Sequence, residues 1–302
     1  MSESLVKQSV VIIGGGVAGQ ATAKELLNAN CNVIIVQANS FVEVPHLSPY
    51  YLSRPDQWEK TANTKAGSIA SLDNSTIDGV KYVIGTVSKL EATSLILTDN
   101  RTIDFDVCVC ATGIHYPFIA ANFGEDFNER KSSVKQFHDK LNDPNTKSIL
   151  IGGSGPVAVE VAGELRRLKP NMKIQMVTSG DNVLPSWKGK PAQVVMDHMK
   201  DVNIEIITNS RLIVNEEQSI QPCYEKTNYK LSNDNFINDV DIFLPYFGIA
   251  RTQFLSDNLI DKQKRSLIKI NLFGQSIIQK NLFVVGCSTL YSHIVIDIIF
   301  AE

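Results

Sequence analysis

Two glycine-rich turns, each leaving a short apolar run and opening a helix-patterned stretch, constrain this chain more than any other feature. The first is Ser9-Val10-Val11-Ile12-Ile13 running into Gly14-Gly15-Gly16-Val17-Ala18-Gly19. The second is Ser148-Ile149-Leu150-Ile151-Gly152 running into Gly153-Ser154-Gly155-Pro156-Val157-Ala158. In the pattern G-x-G-x-x-G/A the first glycine permits the tight turn out of the strand and the second lets backbone approach a pyrophosphate. The third position, glycine or alanine, lets helix pack on strand. Free N–H groups and the helix dipole then stabilise phosphate charge without a basic side chain. Gly14, Gly16 and Gly19 take the three roles in the first copy, with Gly15, Val17 and Ala18 between them. Gly153, Gly155 and Ala158 take them in the second, where Pro156 suits a first helical turn. Two dinucleotide sites on one chain imply electrons passing between two nucleotide cofactors.

Composition sets the limits. A chain of 302 residues holds two domains of ordinary size, and 43% hydrophobic with 20% charged residues describes a soluble globular protein. A net charge of -3 gives no footprint for nucleic acid. The adjacent Arg166 and Arg167 read as a solvated helix face. Met1-Ser2-Glu3-Ser4 lacks the regions of a signal peptide and a glycine for myristoylation, and no run of 18 apolar residues exists to span a membrane. The expected setting is reducing and intracellular, cytoplasmic, with mitochondrial association left open. Cys31, Cys108, Cys110, Cys223 and Cys287 form no C-x-x-C pair, so no dithiol redox centre is expected. The five histidines lack ligand spacing with these cysteines, and no metal site is expected.

Along the chain, Val33 to Val36 reads as a second strand ending at Gln37, and residues 38 to 62 as a long loop rich in proline, aromatics and charge. Strands are expected at Lys81–Val87, Ser94–Thr98 and Phe105–Cys110, the last stopping at Ala111-Thr112-Gly113. A helix is expected around Ser132–Leu141. After the second turn come a strand at Lys173–Val177, a helix around Gln193–Lys200, a strand at Asn203–Ile207 and a polar stretch to about 238. Late strands follow at Asp241–Tyr246 and Asn281–Gly286, then a mostly apolar tail from Leu290. The strand-helix-strand opening and a later strand ending in a loop thus occur twice. The expected fold class is α/β with parallel, doubly wound sheets.

Four segments come in a telling order: Val11 to Gly19, Cys110-Ala111-Thr112-Gly113, Gly153 to Leu165, and Phe283-Val284-Val285-Gly286. That order resembles the two-dinucleotide-binding-domain flavoproteins, the pyridine nucleotide-disulfide oxidoreductase superfamily. The apoptosis-inducing-factor-like and type II NADH dehydrogenase-like branch, which lacks the redox disulfide, is the nearest in look. The resemblance implies two Rossmann-like three-layer domains, with the NAD(P)H domain inserted into the FAD domain. The FAD domain would comprise residues 1–114 and 275–302, and the NAD(P)H domain residues 115–274. FAD would lie on Gly14, Gly16 and Gly19, with Ala111, Thr112 and Gly113 at the crossover beside it. NADH or NADPH would lie on Gly153, Gly155 and Ala158, and Glu160 is the candidate beside the nicotinamide. Arg54 is the basic candidate for the FAD phosphates.

Three features depart from that pattern. Gln37 stands where the family places an acidic residue for a ribose hydroxyl. Gly286-Cys287 stands where the family has Gly-Asp, and a thiol is a poor hydrogen-bonding substitute. The family's further interface domain is not expected here, this sequence running to Glu302, roughly one helix past Gly286. Beyond Val177 the stretch Thr178-Ser179-Gly180-Asp181 offers neither a clear acidic residue for NADH nor an arginine for NADPH. The resemblance implies an FAD-dependent oxidoreductase that takes hydride from NAD(P)H and passes electrons to a quinone or other small acceptor. No hydrolytic triad signature is present. A nucleotide-binding or signalling relative with weak turnover is the alternative, and a one-site Rossmann dehydrogenase fits two fingerprints less well.

Overall fold

The computed structural model describes residues 7–43, 47–52, 54–61, 77–113, 121–122, 124–187, 189–247, 254–261 and 267–288. Its first half holds β1 (Ser9–Ile13), α1 (Val17–Asn28), β2 (Asn32–Gln37), α2 (Ser48–Leu52), α3 (Pro55–Thr61) and β3 (Val80–Ile84). Then come β4 (Val87–Leu90), β5 (Ser94–Leu97), β6 (Thr102–Asp104) and β7 (Val107–Cys110). Helix α4 (Phe127–Asn142) leads to β8 (Ser148–Gly152), α5 (Pro156–Leu168), β9 (Lys173–Val177), α6 (Lys190–Asp201) and β10 (Ile204–Ile207). The second half continues with β11 (Leu212–Ile213), α7 (Glu216–Ile220), β12 (Thr227–Leu231), β13 (Phe236–Val240) and β14 (Ile242–Pro245). Last come β15 (Ile260–Asp261), β16 (Leu267–Ile268) and β17 (Leu282–Val284).

Each glycine turn leaves an inner strand of a parallel sheet. The first sheet runs β17-β7-β1-β2-β3 and the second β10-β9-β8-β14. In both, the strand feeding the turn has its successor on one side and a later strand on the other. The strand order therefore reverses at the turn, and the crevice beyond the carboxyl ends there is where such sheets take ligands. β17 returns to the first sheet after the whole second sheet has been laid down. Strands covered on both faces are apolar throughout. All five residues of β8 are buried, and Val10 to Ile13 of β1 likewise. Leu255, Leu259, Ile260, Ile268 and Ile270 pack with Val11 and Cys108 in the core of the first sheet.

The chain departs from the sequence reading in several places. Residues 38 to 62, expected as loop, contain α2 and α3. Pro55 opens α3, and Trp58 is buried against Phe127 of α4 with ring centroids 5.4 Å apart. Lys81–Val87 is not one strand. Pairing with β2 ends at Ile84, Gly85 donates its N–H to Gln37 O at 2.9 Å, and β4 joins a separate antiparallel sheet with β5 and β6. The helix expected from Ser132 begins at Phe127. Asp126 caps it by accepting from the N–H groups of Asn128 (2.7 Å) and Glu129 (3.0 Å), while Glu129 accepts from Asp126 N (2.9 Å). The polar stretch to 238 folds as α7 and the hairpin β12–β13, whose Tyr229, Leu231, Ile237 and Val240 pack on Leu150 and Phe243. The tail from Leu290 lies outside the described residues.

Arg166 is half-buried rather than fully solvated. Its guanidinium donates to the carbonyls of Pro170 (2.6 Å), Met172 (2.9 Å) and Asn203 (2.6 Å), closing the end of α5 onto β9 and the approach to β10. Arg167 pairs with Glu164 at 2.9 Å. Among the described residues no helix is long and apolar enough to cross a membrane.

Candidate functional site

The two turns are built alike. Gly14 N donates to Val36 O (2.8 Å) and Gly153 N donates to Val177 O (2.9 Å), so each turn is pinned to the strand beside it. Both glycines lie in the left-handed region, at φ 104° and 110°. From the other side, Ala111 N donates to Ile13 O (2.8 Å) and Tyr246 N donates to Gly152 O (2.6 Å). A Cβ added to Gly14 would lie 2.6 Å from Ala111 O, and one added to Gly153 would overlap Tyr246 O. Ala111 and Tyr246 are therefore equivalent positions, as are Thr112 and Phe247.

The second glycine of each turn stays open. A Cβ on Gly16 or Gly155 would meet nothing within 4 Å. These residues are the N-caps of α1 and α5, and neither cap is closed by a side-chain hydrogen bond. Each helix start thus presents N–H groups to an uncluttered space, the arrangement that accepts a pyrophosphate. The third position does the packing: a Cβ on Gly19 would overlap Gly14 O, and Ala158 is 1% exposed. Val17, at the first position of α1, is exposed, while Pro156 opens α5.

At the first turn Gln37 lies over Gly15, where a Cβ would overlap its Oε1. Its Nε2 donates to Phe41 O (2.9 Å), and its buried Oε1 has no hydrogen-bond partner among the described residues. Gln20, fully buried and unmarked by the sequence reading, braces the turn by donating Nε2–H to Gly15 O (2.8 Å). At the second turn the register places Thr178 where Gln37 stands in the first. There the hydroxyl groups close on themselves: Ser154 Oγ donates to Thr178 Oγ1 at 2.7 Å, and Gly180 N donates to the same oxygen at 3.3 Å. The duplicated register is the signal that would have found this pair.

Val285 N donates to Cys110 O (3.0 Å), which sets Gly286 against α1, its would-be Cβ 3.0 Å from Ala18 Cβ. Cys287 follows at the same end of the sheet, half-buried, and burial pushes its thiol up. Thr112 lies beside Cys110, Oγ1 to Sγ at 3.6 Å, and Gly113 is left-handed at φ 66°. Cys108 and Cys110 are free and buried in the sheet core, with both thiols pushed up by burial. Glu160 is exposed on α5. Arg54 carries its guanidinium to Glu164 of α5 at 3.2 Å and stacks on the Tyr50 ring at 4.0 Å. Among the described residues no group of three or more His, Cys, Asp or Glu side chains converges on a metal position.

Residues 8–293 match the pyridine nucleotide-disulphide oxidoreductase family. Apoptosis-inducing factor homolog B of Dictyostelium discoideum is 27% identical over 303 residues, covering 94% of this chain and 75% of that protein. A type II NADH:quinone oxidoreductase of Staphylococcus epidermidis is 23% identical over 235 residues, covering 66% and 56% respectively. Among solved structures, reduced Bacillus anthracis CoADR-RHD superposes with a TM-score of 0.71 at 17% identity, covering 95% of this chain and 52% of that one. The chain thus spans little more than half the length of the last two. With a match over nearly its whole length, and the same fold in the solved structure, the chain belongs to the pyridine nucleotide-disulphide oxidoreductase family.

Proposed function

We propose that this chain is an FAD-dependent NAD(P)H oxidoreductase that holds FAD at the first turn and NADH or NADPH at the second. The observation that carries this reading is the pair of identically pinned turns, each with an open second glycine and an uncapped helix start. The first turn also fits FAD in detail, because the unpartnered Gln37 Oε1 supplies a hydrogen-bond acceptor at the strand end where a ribose hydroxyl is recognised. FAD when bound supplies hydride acceptance and onward electron transfer. The protein's own part is to hold two nucleotides in order. The N–H groups at Gly16 and Gly155 face phosphate, Gln20 fixes the first turn, and the neutral amide of Gln37 orients a ribose. Gly286 and Cys287 line the first site from the last strand.

The proposed division assigns residues 1–114 and 275–302 to the FAD domain and 115–274 to the NAD(P)H domain. The packing of Leu255, Leu259, Ile260, Ile268 and Ile270 on the first sheet supports an earlier return to the FAD domain, near 254. A quinone is the acceptor proposed, by analogy with the type II NADH:quinone oxidoreductase relative. The competing reading, a nucleotide-binding relative with little turnover, draws on Cys287, a protonated thiol where the family pattern has a carboxylate. An absorbance spectrum of the purified protein, before and after anaerobic NADH and then NADPH, separates the two. Flavin bands that bleach support the oxidoreductase, and the faster nucleotide names the donor. No flavin band after incubation with excess FAD sinks it.

A further inference from the structure

We infer that Phe247 is the surface on which the nicotinamide half of the second nucleotide packs, an inference that rests on the reading of the second turn as a dinucleotide site. Phe247 follows β14, the strand that flanks β8 on the side away from β9. In such a sheet the ribose of the adenosine half is read at the end of the second strand, here Val177 and Thr178. The dinucleotide then crosses the turn toward the strand on the other side, which is β14. Phe247 stands at that end.

Its environment is that of a platform. A Cβ added to Gly152 would lie 2.7 Å from Phe247 Cε1 and closer still to Cζ, so the ring lies down on the last residue of β8. Phe243 supports it from within the sheet, ring centroids 6.1 Å apart. Yet Phe247 remains 44% exposed, an aromatic ring held from below and open above, directly beside the turn. The exposed face is flat and apolar beside a polar crevice, a surface that gains by being covered with another ring. The equivalent residue of the first half is Thr112, a small side chain turned toward Cys110. The two halves differ here in size and chemistry, although their backbones are pinned in the same way. Gly152 completes the arrangement, since the ring could not lie there over any side chain.

The test uses the full chain and equilibrium binding without turnover. Calorimetric titrations compare ADP-ribose, which lacks the nicotinamide, with tetrahydro-NADH, which carries a ring unable to donate hydride. The 2′-phosphorylated pair serves if NADPH is the donor. Phe247→Ala is expected to weaken tetrahydro-NADH binding about fivefold to tenfold, the scale of one ring-stacking contact, and to leave ADP-ribose within about twofold. Phe247→Tyr keeps the ring and is expected to bind both as the parent does. Equal weakening of both ligands by Phe247→Ala would mean that the ring only supports the turn, and would overturn the inference. Unchanged or tighter tetrahydro-NADH binding would overturn it as well, the tighter case marking the ring as an obstruction. Absence of ADP-ribose binding by the parent protein would instead overturn the reading of the second turn, and the inference with it.

Discussion

Gln37 Oε1 lies so close over Gly15 that any side chain at position 15 would overlap it, and the same oxygen has no hydrogen-bond partner among the described residues. A buried amide oxygen left unpaired is costly, and on the function proposed above a ligand hydroxyl would satisfy it at the end of β2. Gln37→Leu removes that acceptor. The expected result is a threefold to tenfold weaker hold on flavin, consistent with about 0.5–1.5 kcal/mol for one such hydrogen bond. A small loss of stability accompanies it, because Phe41 O loses its donor. Flavin content per chain after gel filtration, beside a melting curve, measures both. Undiminished flavin retention would show that this oxygen does not meet FAD.

The glycines of each turn separate folding from binding. Gly14→Ala and Gly153→Ala force a side chain into the left-handed region and against a neighbouring backbone carbonyl. Each is expected to destabilise the chain by about 2–4 kcal/mol. Gly16→Ala and Gly155→Ala put the methyl group into open space and should melt within a few degrees of the parent. Binding tells them apart: Gly16→Ala is expected to lose flavin, and Gly155→Ala to lose ADP-ribose affinity while keeping flavin. Thermal melts paired with flavin content and calorimetry distinguish the four. Loss of both ligands in both open-site variants would mean that the turns are not independent sites.

The parts of this fold that the sequence made legible are those where one residue type answers one physical need. Only glycine serves at φ 104° and 110° under a carbonyl, so both turns could be read directly, and buried parallel strands such as β8 announce themselves as apolar runs. Gln37 could be placed because strand length fixes its distance from the first turn, and Cys287 because the run Phe283 to Gly286 resembles the family's last motif. What stayed hidden depends on partners far along the chain. Trp58 forms a helix-bearing cluster only because Phe127 waits across from it, and Arg166 is drawn inward by carbonyls at Pro170, Met172 and Asn203. Phe247 carries no signal in the sequence for a different reason. Its equivalence to Thr112 lies in backbone hydrogen bonds at Gly152 and Ile13, which side-chain chemistry does not reveal.

Glu43 ties the segment before α2 to α3 and α4. It accepts from Trp58 Nε1 (2.5 Å), Arg130 Nε (2.9 Å) and Ala121 N (2.7 Å), and the Glu43 and Arg130 side chains are 6% and 5% exposed. Removing one partner strands the other charge out of water. Arg130→Met is expected to cost about 3–5 kcal/mol in urea unfolding. The double variant Glu43→Leu with Arg130→Met should recover part of that loss, since no lone charge remains buried. A double variant less stable than the sum of the singles would refute this account of the pair.

Asp241 gives the acid limb of stability a named contributor. Burial pushes its carboxyl up, but donation from Lys147 N (2.8 Å) and Ser148 N and Oγ (3.1 Å each), with Lys226 at 3.4 Å, outweighs it and holds the pKa below the usual value. A depressed folded pKa contributes stability that is fully present above the unfolded value of about 3.9 and is lost as pH falls through the folded one. Asp241→Asn is therefore expected to be less stable at neutral pH and to lose less on acidification. Chemical unfolding at pH 7 and at successively lower values checks this, and parallel pH profiles for the two proteins would contradict it.

Cys287 bears on whether FAD is kept. It follows Gly286, which sits against Ala18 at the start of α1, and burial pushes its thiol up. A protonated thiol is a weak hydrogen-bond partner, whereas a carboxylate in the same place accepts strongly from ligand hydroxyls. Gly286, left-handed at φ 71°, already provides the backbone turn, so the exchange asks nothing new of the main chain. Cys287→Asp is therefore expected to raise flavin retention about tenfold, the difference between a weak neutral contact and one to a charged acceptor. Cys287→Ser, neutral and nearly isosteric, should give a smaller gain. Fluorescence titration of FAD into stripped protein ranks the three. If Asp binds FAD no better than Cys, the family's carboxylate is dispensable here, and the first site holds its cofactor through the turn and Gln37 alone.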